Sequence, residues 1–192
     1  IIASQKISSF AILAPISSDI NYPNYKFDND KKIIIKNEFP IKVKSVDGFA
    51  MLFDKKKLDK IFHKNYFDEN FFMYLENDDL CKRVIDAKEE IYIAPISKIK
   101  HLGGKAVNIK YKNEIEFARN WHWIWSKFYF NKKHHGYFTA FFKGFPKLIF
   151  SLIKYIFYSL IRNKIKKKIY LNRASGFVNA AINKKSWYRS QF

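Results

Sequence analysis

Phe67–Arg83 reads FDENFFMYLENDDLCKR. Asp68, Glu69, Glu76, Asp78 and Asp79 stand there among Phe71, Phe72, Met73 and Tyr74, in a chain whose formal net charge is +19. Carboxylates set against apolar rings and against one another sit where desolvation and like-charge repulsion raise a pKa. A general base or a metal site needs that setting. Asn77 or Asp78 is placed to cap a helix running to about Lys88. Asp79 and Arg83, four apart, pair on that helix. Downstream, His101 leads into Gly103-Gly104. Together these features point to an enzyme site rather than a plain scaffold.

The flanking sequence gives the context. Phe10–Ala14, FAILA, reads as a short buried strand closed by Pro15. Ile33–Ile35 and Ile41–Val46 read as two strands, with turn chemistry at Asn29-Asp30 just before them. Val46–Phe53 reads as a further strand, in which Gly48 allows close backbone approach. Residues 55–63 form a short helix with Leu58, Ile61 and Phe62 on one face. Ile91–Ala94 is another strand, ended by Pro95, and a short strand at 97–100 precedes the His101 loop. Strands and helices mixed in this way predict an α/β domain over residues 1–112.

Charge divides the chain. All 17 Asp and Glu lie at or before Glu116, where 20 Lys and Arg leave a net charge of +3. Residues 117–192 carry 16 Lys and Arg and no acid. A one-sign segment of this kind meets a polyanion, either an anionic membrane surface or nucleic acid. Residues 113–130 read as a helix with Phe117, Trp121, Ile124 and Phe128 on one stripe. Trp121, Trp123 and Trp125 are two apart and cannot all face one core. One of those faces is open to an acceptor or a membrane interface. Pro146–Arg162 is almost wholly apolar, with Lys147, Ser151, Lys154, Tyr158 and Arg162 drawing one narrow polar stripe. Lys164, Lys166, Lys167 and Lys168 follow. The apolar run falls short of a spanning helix and fits an interfacial one with cations on anionic lipid. Residues 113–192 are thus expected to be a basic amphipathic helical region. His134-His135 read as surface residues of a basic loop. A single cysteine, Cys81, rules out an internal disulfide framework and fits a reducing compartment.

With these segments in order, the chain resembles the C-terminal half of the family 2 glycosyltransferases, nearest to rhamnosyltransferase-like and galactofuranosyltransferase-like enzymes of bacteria. The resemblance is carried by VDGFAMLF (46–53), YFDENFFMYLENDDLCKR (66–83), IKHLGGKA (99–106), RNWHWIWSKFYFNKKHHG (119–136) and KKSWYRSQF (184–192). It implies a partial GT-A fold lacking its N-terminal half. It further implies a nucleotide-sugar donor, a divalent metal (Mg or Mn), and inversion at the anomeric carbon during cell-surface glycan synthesis. An acidic residue of the segment matching Glu76–Asp79 takes the proton from the acceptor hydroxyl. His101 matches the histidine that helps hold the metal.

Many members have Glu-Asp where this chain has Glu76-Asn77, and Asn77 cannot accept a proton. The base role therefore passes to Asp79 or Glu76, with Asp78 third. Asp47, Gly48, Asn77, Arg83 and Trp121 are the expected substrate-binding residues. Asp28-Asn29-Asp30 matches Asp-x-Asp literally, but its position reads as a hairpin turn. The chain begins Ile-Ile and shows no signal-peptide pattern. The expectation is a fragment of a longer enzyme, inactive alone, peripheral to the cytoplasmic face of a bacterial inner membrane. Its partners would be a nucleotide-sugar donor, a glycan or lipid-linked acceptor and anionic lipid. The competing reading is a non-catalytic basic module binding membrane or nucleic acid. The apolar stretch at 148–161 speaks against a solvated nucleic-acid arm.

Overall fold

The computed structural model describes residues 7, 9–19, 21–28, 39–102 and 108–189. The expected turn at Asn29-Asp30, the strand at Ile33–Ile35, the Asp-x-Asp match beyond Asp28 and the Gly103-Gly104 pair lie outside them. The chain is of mixed α/β class and divides into two compact units. One comprises Ile1–Asp68 and Glu76–Gly103, the other Glu69–Leu75 and Gly104–Phe192. The boundary therefore precedes residue 112, and the aromatic half of the acidic stretch belongs to the second unit.

The first unit is built on a four-stranded mixed sheet. Its strands are β1 (Ile12–Ser17), β3 (Ile41–Val43), β5 (Leu52–Phe53) and β6 (Ile91–Ile99), in the order β3-β6-β1-β5. β1 and β6 run parallel, and β3 and β5 pair antiparallel at the two edges. A separate ribbon pairs β2 (Tyr25–Lys26) with β4 (Ser45–Val46). Helices α1 (Lys55–Phe62) and α2 (Glu76–Asp86) belong to the same unit. Leu58 of α1 and Leu80, Cys81 and Val84 of α2 join Ile12, Val43, Ile91 and Ile93 in one buried cluster. Each fully buried Leu or Ile contributes about 1.5–3 kcal/mol of apolar burial. Asp54 caps α1 by accepting from the Lys57 N–H.

Several expected boundaries move, each for a local reason. Pro15 and Pro95 do not end their strands. Pro15 pairs with Ala94, and the next pair is Ile16 with Lys98, so Pro95, Ile96 and Ser97 form a bulge in β6. A bulge is where a strand tolerates a residue without an N–H. The run 41–46 is two strands rather than one. At Lys44 the backbone leaves β3 and its N–H donates to the Lys26 carbonyl, which starts the ribbon. Val46–Phe53 is not continuous strand, because residues 48–50 turn and only Leu52–Phe53 pairs. α2 begins at Glu76, so neither Asn77 nor Asp78 caps it; both lie in its first turn. Tyr74 and Leu75 lead into it at φ 71° and 68°.

The second unit packs α3 (Lys112–His135), α4 (Tyr137–Leu160) and α5 (Lys164–Ala181) around Trp121, Trp125, Phe128, Ala140, Phe177 and Ala180. Phe117, Trp121 and Phe128 are buried and Ile124 is half-buried, as the stripe predicts. Gly136, at φ 85°, makes the break between α3 and α4, a conformation glycine adopts without steric cost. His134 and His135 sit in the last turn of α3 rather than in a loop. α4 starts nine residues before Pro146, which lies inside it. Ser186–Arg189 folds back on α3, where Trp187 and Tyr188 pack against Trp121.

Candidate functional site

The turn Asp47-Gly48-Phe49 is where the expected site residues gather in the first unit. Val46, just before it, receives a hydrogen bond from the Asn77 side-chain amide at 3.0 Å. A Cβ on Gly48 would stand 3.4 Å from the Asn77 Cβ, so the turn lies in contact with the first turn of α2. Asp47 accepts from the Tyr22 hydroxyl at 2.7 Å. That bond holds the phenol protonated and pushes the Tyr22 pKa up to about 12. Phe49 stacks on the His101 ring, 4.8 Å between centroids with the two planes nearly parallel. Asp47, Gly48, Asn77 and His101 are thereby linked through direct contacts.

The three candidate bases on α2 differ sharply. Asp79 is fully buried and pairs with Arg83 at 2.8 Å. Arg83 also donates to the Tyr66 carbonyl and lies over the Phe62 ring at 4.4 Å. The pair expected from the four-residue spacing is therefore present, and it closes Asp79 off from any acceptor. Arg83 is engaged by Asp79, Tyr66 and Phe62 and keeps 21% of its side chain exposed. Asp78 keeps 18% of its side chain exposed and is held by Lys26 at 2.8 Å. Glu76 carries a buried Oε2 that has no hydrogen-bond partner among the described residues. Glu76, Asp78 and Asp79 all occupy the helix N-terminal turn, where negative charge complements the backbone dipole. Cys81 is buried, its thiol pushed up to about 12 mainly by burial, with Asp78 and Asp47 both adding to the rise.

Tyr22, Lys26 and Phe49 were not among the expected site residues, yet they hold Asp47, Asp78 and His101. Tyr22 lies 25 positions from Asp47 and Lys26 lies 52 from Asp78. No local spacing could have shown either; only the β2–β4 ribbon brings them in.

His101 offers one imidazole. Among the described residues no three His, Cys, Asp or Glu side chains gather in a way that would hold a metal ion. The described donors alone do not make a divalent-metal centre.

In the second unit, Trp121 is fully buried and its indole N–H donates to Ser175. It therefore has no face to offer an acceptor. The exposed member of the tryptophan trio is Trp123, at 38%, which meets Tyr74 edge-on and lies under the Lys127 ammonium at 4.1 Å. The aromatic run of the acidic stretch is structural here. Phe71 packs on Tyr129, Phe72 on His122 with Arg189 over it, and the Met73 carbonyl accepts from Ser126.

The chain matches no protein-family model, no curated protein and no solved structure.

Proposed function

We propose that this chain is the acceptor-side part of an inverting family 2 glycosyltransferase with a partial GT-A fold. One observation supports the reading beyond the sequence resemblance. Residues from three of the segments that carry it come together in the first unit around the 47–49 turn: Asn77 bonds Val46 just before it, and His101 stacks on Phe49.

In this proposal Asp78 is the general base. Of the two aspartates in the first turn of α2 it is the one that retains exposure, and Lys26 pairs with it at 2.8 Å. The carboxylate takes the proton of an acceptor hydroxyl as that oxygen forms its bond to the anomeric carbon. The bond from that carbon to the nucleoside diphosphate breaks on the opposite face, which inverts the centre. A hydroxyl is a poor nucleophile until a positioned carboxylate removes its proton. Glu76, with its unpartnered Oε2, is the second carboxylate within reach of the same turn of α2. The donor is a nucleotide sugar and the acceptor a glycan or lipid-linked glycan. Mg or Mn at the diphosphate, with His101 as one ligand, belongs to the same proposal, as does attachment to the cytoplasmic face of a bacterial membrane. There an anionic lipid surface is the partner and nucleic acid is not.

The test is sugar transfer from a panel of nucleotide sugars by the protein that contains this chain. Asp78→Asn should lower kcat about 10²–10⁴-fold with an unchanged unfolding curve. Undiminished transfer by Asp78→Asn, Glu76→Gln and Asp79→Asn would remove the carboxylate mechanism.

A further inference from the structure

Helix α4 presents its apolar side to solvent. Its packed side carries Ala140, Gly144 and Ser151, and an added Cβ on Gly144 would stand 2.5 Å from the Phe177 ring of α5. Ser151 and Tyr158 of the polar stripe thus face the bundle, with Tyr158 stacked on Tyr170 at 5.5 Å. Phe138, Phe142, Ile149, Ile153, Ile156 and Leu160 are all exposed, the two end residues by about three quarters. Their spacings of four, seven, four, three and four residues put them on one face along the whole helix. Isolated exposed apolar residues are ordinary, but a continuous row of this length marks an interaction surface.

The charge around the row identifies its occupant. No Asp or Glu occurs beyond Glu116, while Lys143, Lys147, Lys154, Arg162 and Lys164 lie on α4 or just after it. The Lys154 ammonium lies over the Phe150 and Phe157 rings, so its stem runs along apolar surface with its charge at the edge. A second copy of this chain would bring the same cations against one another. An anionic bilayer surface accepts both features: the row enters the acyl boundary and the cations meet headgroup phosphates. No described helix is long and apolar enough to cross a membrane, so a bilayer that took up this row would have α4 along its surface.

We propose that α4 is an in-plane membrane helix that lowers its Phe/Ile/Leu row into an anionic bilayer and turns its small and polar side to α3 and α5. This rests on the membrane attachment proposed above and names the face that makes it.

The test uses the full chain and vesicles of phosphatidylcholine with or without phosphatidylglycerol. The wild-type chain should co-sediment with the anionic vesicles. The combined variant Phe142→Gln, Ile149→Gln, Ile153→Gln should bind about 1000-fold more weakly, since each buried side chain lost is worth about tenfold or more. Its helical circular dichroism should match wild type. Independently, Ile153→Cys can be labelled with a polarity-sensitive fluorophore, because Cys81 is fully buried. That label should brighten on vesicle binding and be quenched by spin-labelled lipid at shallow depth. If the vesicles bind while the label stays in water, the row is not the inserting face, though membrane attachment stands. If the wild-type chain ignores anionic vesicles, both proposals fall. If the chain dimerises without lipid and buries the label, the row belongs to a second copy and the assignment is overturned.

Discussion

The side-chain amide of Asn77 donates to the backbone carbonyl of Val46 at 3.0 Å. This bond ties the first turn of α2 to the strand that leads into Asp47-Gly48. It also gives a physical reason for asparagine rather than aspartate at this position. An ionised carboxylate has no proton to donate and would face the Val46 oxygen with like partial charge. Asn77→Asp should therefore lower stability by about 1–3 kcal/mol, the cost of leaving a partly buried acceptor without its donor. Asn77→Ala should cost no more than that. Urea denaturation of the three proteins measures the order, and an Asn77→Asp variant as stable as wild type would mean the bond contributes nothing.

Asp78 and Asp79 are adjacent in sequence but should separate cleanly in stability. Asp79→Ala leaves the Arg83 guanidinium without its carboxylate. Breaking a buried pair costs about 3–5 kcal/mol, and because Arg83 keeps 21% exposure the lower end applies. Asp78→Ala removes an ion pair whose lysine is 63% exposed, and such pairs are worth about 0–1 kcal/mol. Thermal or urea unfolding should show a large loss for the first and almost none for the second. The reverse order would contradict the burial on which the choice of Asp78 rests.

Much of this contrast was legible in part. The four-residue spacing of Asp79 and Arg83 gives the pair, but not that it is sealed. Burial depends on Tyr66 and Phe62, which fold over Arg83 from outside the helix. The stripe Phe117, Trp121, Ile124, Phe128 shows the buried face of α3 correctly, because helical periodicity is a local property. It cannot say which tryptophan stays open, since Trp121 is enclosed by Ser175 and by Trp187 and Tyr188 of the returning C-terminal segment. The strand at 41–46 splits for a similar reason. Its alternation is right for a strand, but the partner of Lys44 is the Lys26 carbonyl, which belongs to another sheet. The polar stripe of α4 was visible, yet pattern alone assigns it to solvent. Ser151 turns inward because α5 approaches closely at Gly144, a contact between residues more than 30 positions apart.

Gly176 should tolerate no side chain. A Cβ there would stand 2.5 Å from the Trp121 carbonyl oxygen, which is fixed in the middle of α3. At Gly144 the same addition meets the Phe177 ring, also at 2.5 Å, but a ring edge can shift where a helical carbonyl cannot. Alanine gains about 1 kcal/mol over glycine in a helix interior, while overpacking costs about 1–3 kcal/mol. Gly176→Ala should be a net loss and Gly144→Ala a smaller one. Melting temperatures of the two variants measure the difference, and an equal or stabilising effect at Gly176 would mean α3 and α5 can separate freely.

His122 should make the second unit weaken in mild acid. Its Nε2–H donates to the Tyr188 carbonyl at 2.7 Å, which leaves Nδ1 to accept from the Ser186 hydroxyl at 2.9 Å. Burial lowers its pKa below the ordinary 6.5, and the Arg189 charge adds to the fall. The unfolded chain therefore takes up a proton near pH 6.5 while the folded chain does not. Stability from this group is full above that value and is lost as pH falls through the depressed folded pKa. Between about pH 6.5 and 5, before most carboxylates titrate, the unfolding free energy should drop with pH, and His122→Gln should flatten that slope. Nitrogen chemical shifts of the ring should report the Nε2–H tautomer at neutral pH. A ring that titrates at or above 6.5 would show instead that the bond to Tyr188 outweighs burial.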